Sequence, residues 1–397
     1  MADVVFLSGV RTPFGTFGGA LKDISVVDFT AIAARAAIAR AGIEAAEVSH
    51  AVLGNVLLTT GDSIYFTRHV ALAAGCPIET PALTVNRLCG SGFQAIVSGA
   101  EEILLGYADV CLVGGGESMS QAPHVARGLR WGTRLGQSPV LTDSLWEGLT
   151  DTMAGCSMGE TAENLAQQCG VDRASADEFA LRSQTLTRDA WAAGAFDDEI
   201  VPVPVTDPRT RRPVDFTRDE HPRPETTADG LGKLKPVFRP TGVVTAGNAS
   251  GIGDGASVLV VASDAYARTA GYKPLARLVS WGITGVDPHV MGIGPVPAAR
   301  QALTRAGLAL AEMDLVEVNE AFAPQAVAVE RTLGIDRARL NIHGGAIAIS
   351  HPLAASGARI TTHLIHALRR AGKRYGLGAA CIGGGQGIAV IIEAISV

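Results

Sequence analysis

Along most of the chain, short apolar runs alternate with longer stretches whose apolar residues recur every three or four positions. Runs at 4–7, 50–58, 82–85 and 110–113 predict buried strands, and helical spacing predicts helices over 27–41, 66–74 and about 90–105. The first helix closes on Gly42, a C-terminal stop. The third carries Phe93, Ile96, Val97, Ala100, Ile103 and Leu104 on its apolar side. Such strand–helix alternation is the pattern of a parallel or mixed sheet covered by helices.

Between about 118 and 245 the texture changes. Prolines and charges accumulate and apolar runs shorten, which predicts an inserted region with a few helices, 161–168 and 174–192, lying over the main body. Its 206–227 stretch carries Arg209, Arg211, Arg212, Arg218 and Arg223. These form either a solvated surface or, at one or two positions, a contact to a ligand phosphate.

From about Thr245 the alternation resumes and the chain repeats itself. Arg40-Ala-Gly-Ile with Glu47 matches Arg305-Ala-Gly-Leu with Glu312, 265 residues on. At the same offset Asn86-Arg-Leu-Cys-Gly-Ser-Gly falls on His351-Pro-Leu-Ala-Ala-Ser-Gly, and at 269 Val113-Gly-Gly-Gly falls on Ile382-Gly-Gly-Gly. Three matches in order at nearly one offset indicate a duplicated α/β domain. The divisions are 1–117 plus 246–272, the insertion 118–245, and 273–397. A pseudo-twofold between halves would gather equivalent loops at their joint, bringing the Cys89, Asn319, His351 and Cys381 loops to one crevice.

Composition narrows the class. With 47% hydrophobic and 18% charged residues the chain is globular, and at 397 residues it exceeds one ordinary core. A net charge of −6 gives no reason to expect nucleic acid or an anionic membrane as partner. Six scattered cysteines without a C-x-x-C pair argue against a disulfide framework or a metal site, and for a reducing compartment. The first residues, Met1 to Ser8, lack a basic segment and read as a strand rather than a signal peptide, and no apolar run reaches the ~18 residues of a membrane span. The expectation is a cytoplasmic protein, or one of the mitochondrial matrix if the source is eukaryotic.

Four residues carry candidate chemistry. Cys89 falls where the third helix begins, where unpaired N–H groups and the helix macrodipole favour a thiolate. Gly90 and Gly92 leave room beside the sulfur. The alternative is a buried, inert cysteine. His351 sits at a turn before Pro352, as either a structural histidine or, opposite a thiol, a base able to form Cys⁻/His⁺. Cys381 ends an apolar strand before Gly383-Gly-Gly, as core packing or as a second thiol with backbone donors beside it. Asn319 follows a short strand and either holds a water or carbonyl oxygen or caps the next helix.

Together these loops resemble the thiolase family. The matching stretches are Asn86-Arg-Leu-Cys-Gly-Ser-Gly, Asn319-Glu-Ala-Phe-Ala, Gly344-Gly-Ala-Ile-Ala with His351-Pro, and Cys381-Ile-Gly-Gly-Gly-Gln-Gly. Further stretches look closest to its mitochondrial-type 3-ketoacyl-CoA branch: Arg11-Thr-Pro-Phe-Gly, Glu117-Ser-Met-Ser-Gln-Ala-Pro, Asp219-Glu-His, Met291-Gly-Ile-Gly-Pro-Val-Pro and Asp314-Leu-Val-Glu-Val-Asn.

The resemblance implies a duplicated five-layer α-β-α-β-α fold with mixed sheets and an inserted loop domain that binds CoA. It implies reversible, CoA-dependent cleavage of 3-oxoacyl-CoA. Cys89 would be the nucleophile, His351 its base and Cys381 the second acid and base. One oxyanion hole would use the Cys89 and Gly383 N–H groups, the other His351 and a water held by Asn319. Ser250 would contact pantetheine, Arg223 and Thr226 the nucleotide end, and Met158 and Phe322 would flank the substrate. CoA is a substrate, no cofactor or metal is implied, and a homodimer or homotetramer is expected. Alternatives are a biosynthetic acetoacetyl-CoA thiolase and an inactive acyl-CoA binder.

The chain departs from the family pattern at Ser350, usually glycine, and at Ala354, another common glycine. A Cβ at 350 predicts a displaced His351 loop and slower turnover. Ser157 stands where acetoacetyl-CoA thiolases often carry histidine, which agrees with longer substrates.

Overall fold

The computed structural model describes residues 3–207 and 209–395, so Met1 and Ala2 of the expected first strand lie outside the described residues. The main strands are β1 (Val4–Arg11), β2 (His50–Gly54), β3 (Ala82–Val85), β4 (Val110–Ser118), β5 (Gly253–Ser263), β6 (Ala276–Gly285), β7 (Leu315–Val318), β8 (Tyr375–Ile382) and β9 (Gln386–Ala394). With the short Gly15–Thr16 strand beside β5, they form one ten-stranded sheet ordered β7-β8-β9-β6-β1-β5-β4-β2-β3.

That order displays the duplication. Outward from the centre run β1-β5-β4-β2 on one side and β6-β9-β8-β7 on the other. Both series make two antiparallel pairings followed by a parallel one. The halves do not keep separate sheets. Val4–Phe6 of β1 pairs with Ala276–Leu278 of β6, joining the two into one ladder.

Eight helices matter here: α1 (Val26–Ala41), α2 (Phe66–Ala73), α3 (Ser91–Leu104), α4 (Met158–Cys169), α5 (Arg173–Ala192), α6 (Pro295–Ala306), α7 (Ala323–Leu333) and α8 (Leu353–Ala371). The matched Gly42 and Gly307 both end their helices in the left-handed region, at φ 71° and 66°. Alternate strand residues define the layers. Val5 and Leu7 pack with Phe29 of α1 and Phe66 of α2. Val4 and Phe6 face inward onto Phe93 and Ile96 of α3 and Ile360 and Leu364 of α8, with Val390 and Ile392 of β9 closing the far side. Ala389 and Ile391 turn outward onto α6 and α7. The layers are therefore α1/α2, first half-sheet, α3/α8, second half-sheet and α6/α7, with the site helices in the middle.

Three strand boundaries differ from the sequence expectation. The strand at 4–7 continues to Arg11, paired with β5. The strand at 50–58 ends at Gly54, because the amides of Val56 and Leu57 leave the ladder for the Glu117 carboxylate. The strand at 110–113 continues to Ser118, held along its length by β5.

Within 118–245, α4 and α5 share an apolar cluster with α6 and α7 through Leu165, Phe179 and Ala180. The Arg11 and Asp219 motifs meet here. Arg11, fully buried, bonds Asp219 at 2.7 and 3.0 Å and Glu199 at 2.6 Å, tying β1 to the inserted region. Arg209, Arg211, Arg212 and Arg218 are exposed, Arg218 lying over the Trp191 ring.

Candidate active site

Cys89 lies in a 3-10 turn, Leu88–Gly90, between β3 and α3. Ser91 sets the turn by accepting from the Arg87 N–H at 2.8 Å and donating to the Leu88 carbonyl at 2.7 Å. Arg87 reaches across the joint to Gln386 at 2.9 Å, docking this loop beside the Gly383 turn. The half-buried Cys89 packs against an apolar cluster formed by Leu57, Met119, Leu145 and Leu353. The Gly383 N–H donates to its sulfur.

The expectation that the helix start holds a thiolate is not met. Burial pushes the Cys89 thiol up to about 11, outweighing the Gly383 and Cys89 amides, and the nearby Glu117 adds to the rise. Burial also pushes His351 down to about 3, with Arg359 adding to it. At neutral pH the pair therefore rests as thiol and neutral imidazole. No hydrogen bond joins the two among the described residues, an arrangement common before a substrate is bound.

His351 is held from three directions. Its backbone N–H donates to the Gly251 carbonyl at 2.9 Å. Its Nδ1 is 2.5 Å from Ser356 Oγ, which itself donates to the Pro352 carbonyl at 2.9 Å. Ser356 has one proton to give, so Nδ1 carries the hydrogen and Nε2 keeps its lone pair. Asn319 Nδ2 lies 3.4 Å from Nδ1 and 3.2 Å from Nε2, across the ring rather than along either lone pair. The capping alternative for Asn319 fails, since α7 starts after Phe322. Its buried Oδ1 has no partner among the described residues. Glu320 fixes this loop by accepting from Ser183, Asn341 and the Ile347 amide.

Ser350 adopts φ 86° and ψ 168°, a region normally reserved for glycine. Its buried hydroxyl has no partner, and it lies against Gly253. The loop is strained, yet His351 keeps its contacts to Gly251, Asn319 and Ser356.

Cys381, fully buried at the end of β8, packs with Met291, Ala321, Met158 and Phe322. Burial raises its pKa strongly, and the neighbouring Cys89 raises it further. Phe238 meets Phe322 edge to face and covers Gly159. Ser250 donates its N–H to the Ala321 carbonyl at 3.0 Å, so it belongs to this wall. Arg223 and Thr226 lie further out, lining a cavity of about 380 Å³ with Gln184, His221, Leu231 and Gly247. Gln184 accepts from the Arg223 N–H at 2.8 Å.

The four expected loops thus lie together, the Cys381 and Gly383 turn beside Cys89, Asn319 beside His351, and Ala321 and Leu353 linking the two pairs. Sequence reasoning missed Ser356, Phe238, Gln184 and His221. Ser356 carried a signal as the repeat partner of Ser91, and His221 as the last residue of the Asp219-Glu-His stretch.

Comparison with known proteins accords with this geometry. Family models for the thiolase N-terminal and C-terminal domains match residues 4–265 and 272–394. The chain is 52% identical to a mitochondrial 3-ketoacyl-CoA thiolase of Bos taurus, over 98% of each chain. It is 50% identical to the beta-ketothiolase BktB of Cupriavidus necator, over 99% of each. A crystal structure of human mitochondrial 3-ketoacyl-CoA thiolase in complex with CoA superposes with a TM-score of 0.96 at 51% identity, covering 100% of both chains. On both halves, and over nearly its full length, the chain belongs to the thiolase family.

Proposed function

We propose that the protein cleaves 3-oxoacyl-CoA with CoA, reversibly, to acetyl-CoA and an acyl-CoA two carbons shorter. What supports this is that loops from both halves bring the Gly383 amide and Cys381 beside Cys89, and Asn319 beside His351. As a thiolase the protein is an acyltransferase.

In this reading His351 Nε2 takes the Cys89 proton and the thiolate attacks the 3-keto carbon. The Cys89 and Gly383 N–H groups hold the resulting oxyanion. The bond between the second and third acyl carbons breaks, leaving an acetyl-CoA enolate whose oxygen faces His351 and a water on Asn319. Cys381 gives its proton to the enolate carbon. The resulting Cys381 thiolate then takes the proton of an incoming CoA thiol, which attacks the acyl group, and the departing Cys89 sulfur takes its proton back from His351. The thioester supplies the activation, so the scheme calls on no metal or redox cofactor.

CoA would enter over the Arg223 and Thr226 cavity and pass Ser250 between Met158 and Phe322. The name of the human CoA complex supports the ligand. Leu57, Met119, Leu145 and Leu149 form an apolar bank beside Cys89, which favours acyl chains longer than four carbons over the acetoacetyl-only reading. A homodimer or homotetramer fits the free sheet edge at β3, where Leu83 is 44% exposed, and the outlying Trp131, 88% exposed. Free cysteines suit the reducing matrix of a mitochondrion, as in the relatives named for it, or a cytoplasm.

The test is CoA-dependent cleavage of substrates from four to sixteen carbons, with mass spectrometry of the Cys89 peptide. Cleavage across the series with acyl-Cys89 is expected. Activity on the four-carbon substrate alone would favour the biosynthetic reading, and CoA binding without acylation an inactive binder.

A further inference from the structure

Glu117 is a motif residue that no step above uses, and its surroundings are unusual for a carboxylate. It is fully buried at the end of β4 and bonds two separate chain segments. Oε1 accepts from the Leu57 N–H at 3.0 Å and from Asn55 Nδ2 at 3.3 Å. Oε2 accepts from the Val56 N–H and from the Ala354 N–H, each at 3.2 Å. The first three donors belong to the loop after β2, in the first half. Ala354 opens α8 in the second half, three residues after His351.

The consequence reaches Cys89 from two sides. Leu57 and Leu353 both belong to the apolar cluster against which Cys89 packs. Each is in, or next to, a peptide whose N–H is fixed by the same carboxyl group. The carboxyl therefore sets the spacing between the Cys89 wall and the helix that carries His351. We infer that Glu117 is a positioning residue of the reaction, locking the Leu57 and Leu353 walls around Cys89 and placing a carboxyl beside the nucleophile. This rests on the reading of Cys89 as the nucleophile.

The titratable groups facing Glu117 are Asp254, from the adjacent strand, and Cys89. Burial pushes the Glu117 carboxyl up to about 8 despite its amide donors. Ionised, it opposes a charge on Cys89. Loss of its charge and loss of its reach are therefore separable.

Glu117→Gln removes the charge and sets an amide donor against backbone donors. Glu117→Asp keeps the charge but is one methylene too short to hold both segments. Three quantities decide the matter: kcat, KM for CoA, and the pH midpoint for alkylation of Cys89 by iodoacetamide, read on the Cys89 peptide. Both variants are expected to lose roughly tenfold or more in kcat, with KM for CoA changed by less than about twofold. In Glu117→Gln alone the alkylation midpoint is expected to move down, by roughly one pH unit. An unchanged kcat, or an unchanged midpoint in Glu117→Gln, overturns the inference. If Glu117→Gln does not fold, Glu117→Asp is read in its place, and an unchanged kcat there overturns the inference equally. Absence of acyl-Cys89 in the wild type would instead remove the underlying reading of the nucleophile.

Discussion

Gly92 of α3 and Gly357 of α8 lie against each other's helices at the joint between the halves, and they are the same position of the repeat. A Cβ on Gly92 would stand 2.6 Å from the Ala358 nitrogen and 2.7 Å from the Ala354 oxygen. One on Gly357 would strike the Phe93 nitrogen. Neither obstacle is a side chain that could swing away. Because these helices start at Cys89 and His351, their contact sets how closely the two loops approach. Gly357→Ala is expected to cost about 1–3 kcal/mol in denaturant unfolding and to lower kcat with it. Unchanged stability would mean that the helices slide apart freely.

Ser356 decides which His351 nitrogen is the base. Without its oxygen, nothing fixes the hydrogen on Nδ1. Loss of one hydrogen bond worth about 1–1.5 kcal/mol should slow Ser356→Ala roughly tenfold in kcat while KM for CoA holds. Steady-state kinetics would show it. A change confined to KM would contradict the assignment.

Ser350 stores strain beside the base. Glycine relaxes a backbone conformation costing about 1–3 kcal/mol, against roughly 0.5–1 kcal/mol for its extra freedom when unfolded. Ser350→Gly should therefore raise Tm by a small amount, on the order of 2 °C, in a calorimetric scan. A lower Tm would show that the hydroxyl contributes more than the strain removes.

The two thiols should separate by variant. Cys89→Ala is expected to abolish turnover yet keep CoA binding by calorimetry. Cys381→Ser should slow turnover by about a hundredfold or more and still take an acyl group on Cys89, read by mass spectrometry. Failure to acylate would end the proposed division of labour.

Acid stability should track two histidines. Burial pushes His351 down to about 3, and burial followed by His363 pushes His343 to about 4, both below the roughly 6.5 of an unfolded histidine. A folded pKa below the unfolded one means stability present above about pH 6.5 and lost as pH falls toward the folded values. His343→Gln should lose less stability than the wild type between pH 6.5 and 4. Parallel unfolding curves for the two proteins would remove His343 from the account.

Much of this was legible in the residues alone. Apolar spacing, Gly42 as a stop and the 265-residue offset foretold the duplicated halves, because periodicity and turn residues act over a few positions. The four candidate loops stood out for the same reason, each marked by glycine or proline at or near its own turn. What the tertiary structure alone decided depends on distant segments. The β1–β6 pairing makes one sheet of two. Ser356 selects the base nitrogen, and Glu117 gathers the amides of Val56, Leu57 and Ala354. The thiol state of Cys89 belongs here too. The helix start argued for a thiolate, but desolvation is set by Leu57, Met119, Leu145 and Leu353, neighbours that no local pattern names, and around this sulfur it outweighs the amides.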